Sequence, residues 1–351
     1  MSKTLKVGLI GAGYWGPNIL RNLLQIPEVE TTCVADLKEE NREKIRRTYP
    51  SVRVLESHHE VLDDTGIDAV VVATPALTHS QLTAEALNAG KHVLVEKPLC
   101  ESTERGIELI QMAAERDLTL MVGHTFLYNA AVRKARELIE SSEIGDVLYA
   151  YGTRVNLGKV RQDVNSLWNF APHDVSIVNY LLSETPTSVQ AFGACYIQEN
   201  IEDVVFLNLR YPDGIICSLH LGWLDPKKVR QITIVGTQKM IIYDDVSADQ
   251  KIQVVDKGVE VRGRQDPPGE MVGFGEYQVL LRSGDIVIPK IDFEEPLRVE
   301  CSHFVDCCLT GQPPLSDGVH GLQVVAVLEA ATRSLKRSGS EERVEYPELQ
   351  S

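Results

Sequence analysis

A chain of 351 residues is longer than one ordinary core and implies about two domains, and its 43% hydrophobic and 24% charged residues describe a globular protein, not a disordered one. The formal charge of −15 excludes a nucleic-acid surface and an anionic membrane partner, which both require clustered Lys and Arg, but leaves room for a local basic pocket. No apolar run approaches the roughly 20 residues that span a bilayer, and "MSKTLKVGLIG" lacks the apolar length of a signal peptide, so the expected compartment is the cytosol.

From Leu5 to Gly123, short apolar runs alternate with helical patterns. "KVGLIG", "TTCVAD", "DAVVVATP", "KHVLVEKP" and "LTLMVG" read as buried strands. Between them, Ile19, Leu20, Leu23 and Leu24 make one helical face, "THSQLTAEALNAG" opens on a candidate Thr78 cap and closes on Gly90, and "STERGIELIQMAAERD" repeats the pattern. Near-continuous apolar strands alternating with helices predict a parallel sheet covered on both faces, over residues 1–123.

Beyond Gly123 the pattern changes. "NAAVRKARELIES" and "PHDVSIVNYLL" read as helices, the second beginning at Pro172. "DVVFLNLRYPDGIICSLHLGW" reads as a hairpin turning at Pro212-Asp213-Gly214, and "RQITIVGTQKMIIYD" and "KIQVVDKGVEVRG" add paired strands. Residues 262–276 read as a loop covering a cleft or joining subunits, and two amphipathic helices close the chain, the second ending at Gly339. Residues 124–351 are thus expected to form an α+β domain with a largely antiparallel open sheet. Seven cysteines form no C-x-x-C pair, so no zinc site and no disulfide framework is indicated; Cys301, Cys307 and Cys308 read as buried thiols on a helix.

The first chemical signal is "GAGYWG". Gly11, Gly13 and Gly16 follow a strand and precede an amphipathic helix, as a dinucleotide turn requires. Gly11 permits the bend, Gly13 lets backbone approach a pyrophosphate, and Gly16 allows close helix–strand packing, while the helix N-terminus offers free N–H groups to phosphate. Pro17 suits a first helical turn. Asp36, about 20 residues on at the end of the second strand, would bind ribose hydroxyls and repel a 2′-phosphate, which favours NAD over NADP. A tight turn with a solvated Asp is the structural alternative.

Together "GAGYWGPN", "ATPALTH", "EKPL" and "GHTFLYNAAV", with "EPLRVE" and "GVHGLQVVAVLEAA" near the end, resemble the glucose–fructose oxidoreductase/inositol dehydrogenase (Gfo/Idh/MocA) family over essentially the whole chain. "GYWGPN" and "LWNFAPHD" most resemble its nucleotide-sugar 3-dehydrogenases. The resemblance implies an N-terminal Rossmann domain, a C-terminal domain whose sheet makes homodimer or homotetramer contacts, a small sugar substrate, and NAD lying over Gly11, Gly13, Tyr14, Trp15, Gly16, Asp36, Thr74, Pro75, His79, Glu96 and Lys97. No metal is implied.

It further implies that Lys97 hydrogen-bonds the reacting hydroxyl, and that the proline after it often follows a cis bond. A lysine desolvated in a cleft has a lowered pKa, suited to proton handling. Relatives carry an Asp four residues before a His; here the matching positions are Asn169 and His173, with His173 as general base. Read without the family, His173 is a helix-start histidine satisfied by backbone. Asn169 is a departure, because an amide cannot stabilise imidazolium as a carboxylate does; it could instead cap the helix. Asp174 could compensate or complement the helix N-terminus. Tyr128 and Asn129 match a segment facing the sugar. Arg154 and Lys159 could neutralise a uronate or diphosphate or be surface charge, and Trp168 could stack on a ring or be core. Three functions stay open: a nucleotide-sugar dehydrogenase, a free sugar or polyol dehydrogenase, and a cofactor-binding regulator with little turnover.

Overall fold

The computed structural model describes residues 4–158, 160–262 and 278–347. Lys159 and the loop expected at 262–276, from 263 onward, lie outside the described residues.

The first half alternates strand and helix: β1 (Leu5–Ile10), α1 (Gly16–Leu23), β2 (Val29–Ala35), α2 (Glu39–Thr48), β3 (Arg53–Leu55), α3 (His58–Leu62), β4 (Ala69–Val72), α4 (His79–Asn88), β5 (His92–Glu96), α5 (Thr103–Glu115) and β6 (Leu120–Gly123). The strands form one parallel sheet in the order β3-β2-β1-β4-β5-β6. Every residue of β4 and β6 is buried, because helices cover both faces. The strand order reverses between β1 and β4, and ligands of doubly wound sheets bind outside the carboxyl ends at that switch.

The second half adds α6 (Ala130–Glu140), β7 (Val147–Val155), α7 (Ser166–Leu182), β8 (Ser188–Ala194), β9 (Val204–Arg210), β10 (Ile216–Gly222), β11 (Val229–Gly236), β12 (Met240–Asp244), β13 (Ile252–Arg262), β14 (Gln278–Val287), α8 (Pro296–Thr310), α9 (Gly318–Lys336) and β15 (Glu342–Arg343). A nine-stranded sheet runs β14-β13-β12-β11-β7-β10-β9-β8-β15, antiparallel except where β10 pairs parallel to β7. The hairpin β9–β10 turns at Pro212–Gly214 as its turn residues predict. One face of the sheet packs on α6, α7 and α9. The other leaves Tyr149, Tyr151, Phe192 and Phe206 about half exposed.

Helix α8 does not stay with the second sheet. Leu297, Cys301, Phe304 and Val305 pack with Leu5, Val7 and Ile19 of the first, and Arg21 holds Glu295 through two hydrogen bonds of 2.6 and 3.0 Å. The chain therefore returns after residue 290 to close the first core, a pairing that local periodicity cannot announce. All seven cysteines are free thiols; Cys301 and Cys307 are buried and Cys308 is half-buried.

Two helix starts differ from expectation. Helix α7 begins at Ser166, six residues before Pro172, because Asn165 Oδ1 accepts the Trp168 N–H at 3.0 Å and caps the helix. Pro172 then sits inside it. Thr78 does not cap α4: its hydroxyl donates to the Pro75 carbonyl at 2.7 Å and contacts Thr74.

Candidate active site

The glycine turn lies where the sequence puts it. Gly11 has φ +100°, a conformation open to glycine, and its Cβ position falls 2.5 Å from the Ala73 carbonyl oxygen. A Cβ on Gly16 would lie 2.1 Å from the Gly11 oxygen, so this residue sets the closeness of α1 to β1. At Gly13 a Cβ would meet nothing within 4 Å. That open space, facing a helix N-terminus, fits a pyrophosphate. Among the described residues the N–H groups of Gly13, Tyr14 and Trp15 have no protein acceptor. Tyr14 and Trp15 stack with ring centroids 6.1 Å apart, and Tyr14 is 92% exposed.

Asp36 follows β2 and closes this turn. Its Oδ2 accepts the Ala12 N–H at 2.7 Å, its Oδ1 accepts the Lys38 N–H at 2.8 Å, and Asn41 Nδ2 reaches both oxygens at 3.1 Å. These four contacts occupy the roughly four acceptor positions of a carboxylate, so a ribose hydroxyl would bind here by taking over one of the two contacts made by Asn41 Nδ2.

A cavity of about 710 Å³ opens between the two sheets. Gly13, Tyr14, Trp15, Thr74, Pro75, His79, Glu96 and Lys97 line it from the first domain, and Asn129, Trp168, Asn169 and His173 from the second. Residues 72 and more apart in the chain thus meet: Lys97 Nζ donates to the Asn169 carbonyl oxygen at 3.1 Å. The Lys97–Pro98 bond is cis. Burial pulls the Lys97 ammonium below the usual lysine range; Glu96 opposes this, while Arg161, Arg154 and Arg230 reinforce it. Burial pushes the neighbouring Glu96 carboxyl upward, against the pull of Lys97. Burial, then Lys97 and Arg154, hold His173 well below the ordinary histidine range, so its imidazole is neutral near pH 7. Its ring meets Phe126 edge-on at 4.9 Å, and Nδ1 is buried without a protein partner.

Several expected roles are revised. Asn169 does not cap α7, since Asn165 does, and Asn169 and His173 stand one turn apart on the same helix. Asp174 neither marks a helix start nor serves His173; it holds Arg154 in a buried bidentate pair at 2.7 and 2.8 Å. Arg154 is consequently not a cavity cation: it is 3% exposed, and its guanidinium lies over the Phe126 ring at 4.7 Å. Tyr128 does not line the cavity either, because its buried hydroxyl is 3.0 Å from Ser316 Oγ. Asn129 reaches the lining, yet its Oδ1 caps α6 through the Ala131 N–H at 2.9 Å and its Nδ2 donates to Tyr243 at 3.3 Å. Trp168 both lines the cavity and donates Nε1–H to Thr332 at 3.0 Å. His79 is 1% exposed, with Nδ1 2.7 Å from the Pro98 carbonyl oxygen and Nε2 2.9 Å from that of Thr74, so it braces the two strand-end loops.

Arg161, Arg230 and Asp245 also line the cavity, without any signal in the sequence. Arg230 pairs with Asp245 at 3.2 Å, and Arg161 holds Asp163 through Nε at 2.8 Å. Only folding brings these guanidinium groups beside Lys97.

Profile comparison matches residues 5–124 to the oxidoreductase family with an NAD-binding Rossmann fold, and residues 132–242 to the GFO/IDH/MocA C-terminal domain. The chain belongs to the Gfo/Idh/MocA family. It is 27% identical over 254 residues to 2,7-anhydro-N-acetylneuraminate hydratase of Escherichia coli, covering 68% of each chain. It is 24% identical to scyllo-inositol 2-dehydrogenase (NAD(+)) of Bacillus subtilis, covering 96% of this chain and 95% of that one. Among solved structures it resembles UDP-N-acetylglucosamine 3-dehydrogenase GnnA from Acidithiobacillus ferrooxidans, with a TM-score of 0.79 and 21% identity over 95% of this chain and 99% of that one. This Gfo/Idh/MocA protein is an oxidoreductase with NAD as cofactor, of a family acting on sugars and polyols. Among its described residues, no helix is long and apolar enough to cross a membrane.

Proposed function

We propose that this protein oxidises a secondary hydroxyl, at C3, of a nucleotide-linked sugar such as a UDP-N-acetylglucosamine derivative. The observation that carries the reading is the convergence of Lys97 and His173 on one cavity beside the glycine turn. NAD, when bound, supplies the acceptor for the hydride leaving the sugar carbon. The turn residues Gly11 to Gly16 and Asp36 would hold it, with Thr74, Pro75, Glu96 and Lys97 toward its reacting end.

The chain's own part is proton handling. Lys97 has three N–H groups and spends one on the Asn169 carbonyl, leaving others for the substrate oxygen. Its charge lowers the cost of a developing alkoxide. His173, neutral at pH 7, takes the hydroxyl proton. Support for an extended substrate comes from a second pocket of about 360 Å³ that shares Ala76, Pro98, Val164 and Trp168 with the first; Arg161 and Arg230 also reach the cavity, each paired with an aspartate. The name of the structural neighbour GnnA points the same way. The inositol dehydrogenase among the relatives supports the second reading, a free polyol as substrate.

The apolar outer face of the nine-stranded sheet supports a homo-oligomer, testable by light scattering, and seven free thiols suit the cytosol. The deciding experiment follows NAD reduction with a panel of UDP-sugars and free polyols. Turnover of UDP-sugars alone supports the proposal, and turnover of polyols alone supports the second reading. Tight NAD binding with no turnover of either points to a cofactor-binding regulator.

A further inference from the structure

Away from the cavity, three side chains converge on the outside of the first domain. His58 and His59 open α3, and Glu85 stands on α4. Neighbouring side chains on a helix diverge by about 100°, yet these two imidazoles lie with centroids 4.0 Å apart and planes inclined by 38°. His58 Nε2 is 2.8 Å from Glu85 Oε2. One ligand-type atom from each of the three residues lies within 4.8 Å of the others.

The surroundings hold this arrangement. A capping box fixes the backbone beneath both histidines: Ser57 Oγ accepts the His59 N–H at 3.2 Å, and Glu60 accepts the Ser57 N–H at 3.2 Å. Gln81 Nε2 donates to Glu85 Oε1 at 2.9 Å, which orients the carboxylate and leaves its other oxygen toward the rings. Burial disfavours ionisation of Glu85, but the Gln81 and His58 hydrogen bonds outweigh it and hold its pKa below the ordinary value. Two imidazoles and a carboxylate make a mixed nitrogen and oxygen donor set.

We propose that His58, His59 and Glu85 bind one divalent cation of the zinc, cobalt and nickel class, with water completing its coordination. Mixed imidazole and carboxylate donors suit such ions, and magnesium or calcium would demand more oxygen ligands. Tetrahedral ligands about 2.0–2.2 Å from one ion stand about 3.3–3.6 Å apart, so the widest of these separations, at most 4.8 Å, closes by up to about 1.5 Å on binding, and the 2.8 Å His58–Glu85 pair opens slightly. The ion takes the place of the His58–Glu85 hydrogen bond, with His58 presenting a ring nitrogen free of hydrogen to it. Its effect is to pin α3 to α4, the two helices that flank β4, so it stabilises the cofactor domain without touching the reacting groups.

The test uses the full chain without an affinity tag. Zn²⁺ is titrated against a chromophoric chelator, Co²⁺ spectra are recorded, and melting is followed with and without Zn²⁺. Expected are one equivalent bound, a raised Tm, and cobalt ligand-field bands without a thiolate charge-transfer band. Glu85→Gln keeps the shape and His59→Ala removes a ring from a partly accessible site; each should weaken binding at least about tenfold, a lower bound taken from the loss of outer-shell partners. NAD affinity of both variants should stay unchanged. No stoichiometric binding, a thiolate band from a cysteine such as exposed Cys195, or unchanged affinity in both variants overturns the proposal.

Discussion

The Lys97 ammonium at the end of β5 donates to the main-chain carbonyl oxygen of Asn169 in α7, at 3.1 Å, and so anchors the first domain's strand-end lysine to the second domain's helix. The contact uses the backbone of Asn169, not its side chain. Any residue at position 169 can therefore orient Lys97, while the side chain there is free to set the charge of the cavity.

Removal of the ammonium tests its part in turnover. Lys97→Ala should lose roughly 10²-fold or more in kcat, the usual scale for an acid–base group. NAD affinity should fall far less, since the glycine turn and Asp36 remain. Steady-state kinetics with a separate binding titration checks both. Near-normal kcat would leave Lys97 as an interdomain tether.

Asn169→Asp puts a carboxylate one turn from His173 and next to Lys97. Nearby negative charge favours the protonated form of each, so both pKa values rise. Oxidation needs the base deprotonated, and a higher pKa moves the rising limb of the pH–rate profile upward. The profile of the unmodified protein, Asn169→Asp and His173→Ala measures this. An unmoved limb in the Asp variant means that position 169 and the base are electrostatically uncoupled.

Asp36 should set cofactor preference. Its carboxylate would repel a 2′-phosphate, so NAD should bind better than NADP, and Asp36→Ser should narrow the gap. NAD binding should weaken as well, because Ser cannot replace all the bonds that Asp36 makes to Ala12, Lys38 and Asn41. Titration of both dinucleotides is the check. Equal affinities in the unmodified protein would remove Asp36 from discrimination.

Two glycines should separate folding from binding. Gly13→Ala adds a methyl into open space, so Tm should hold while NAD affinity drops. Gly16→Ala drives a methyl to 2.1 Å from a backbone oxygen, so α1 must move and Tm should fall with the affinity. Calorimetric melting and NAD titration of both variants show whether the two effects part.

Arg154 and Asp174 form a pair with side chains only 3% and 5% exposed. Arg154→Met leaves the carboxylate buried and uncompensated, at a cost of about 3–5 kcal/mol in urea unfolding. Arg154→Met with Asp174→Leu should recover much of that loss. Equal destabilisation by the single and double variants would place the cost in packing around Phe126.

The sequence by itself determined the parallel sheet, the glycine turn, Asp36 at the end of β2 and the β9–β10 hairpin, because each depends on residues close together in the chain. Apolar runs set strands, glycine supplies the positive φ at position 11, and Pro-Asp-Gly reverses direction locally. The family motifs add Lys97, Asn169 and His173 as candidates. Only the tertiary structure decided what those side chains face. Arg154 and Tyr128 read as cleft residues but are consumed by Asp174 and Ser316, partners 20 and 188 positions away. Arg161 and Arg230 carry no motif, yet they reach the cavity from a loop and from β11. The start of α7 shows the same division on a smaller scale: Pro172 suggests a boundary, but the Asn165 cap and burial of Leu167 and Ala171 extend the helix through it. Burial and charge pairing are long-range quantities, and at this site they set which side chains reach the cavity and which partners they meet there.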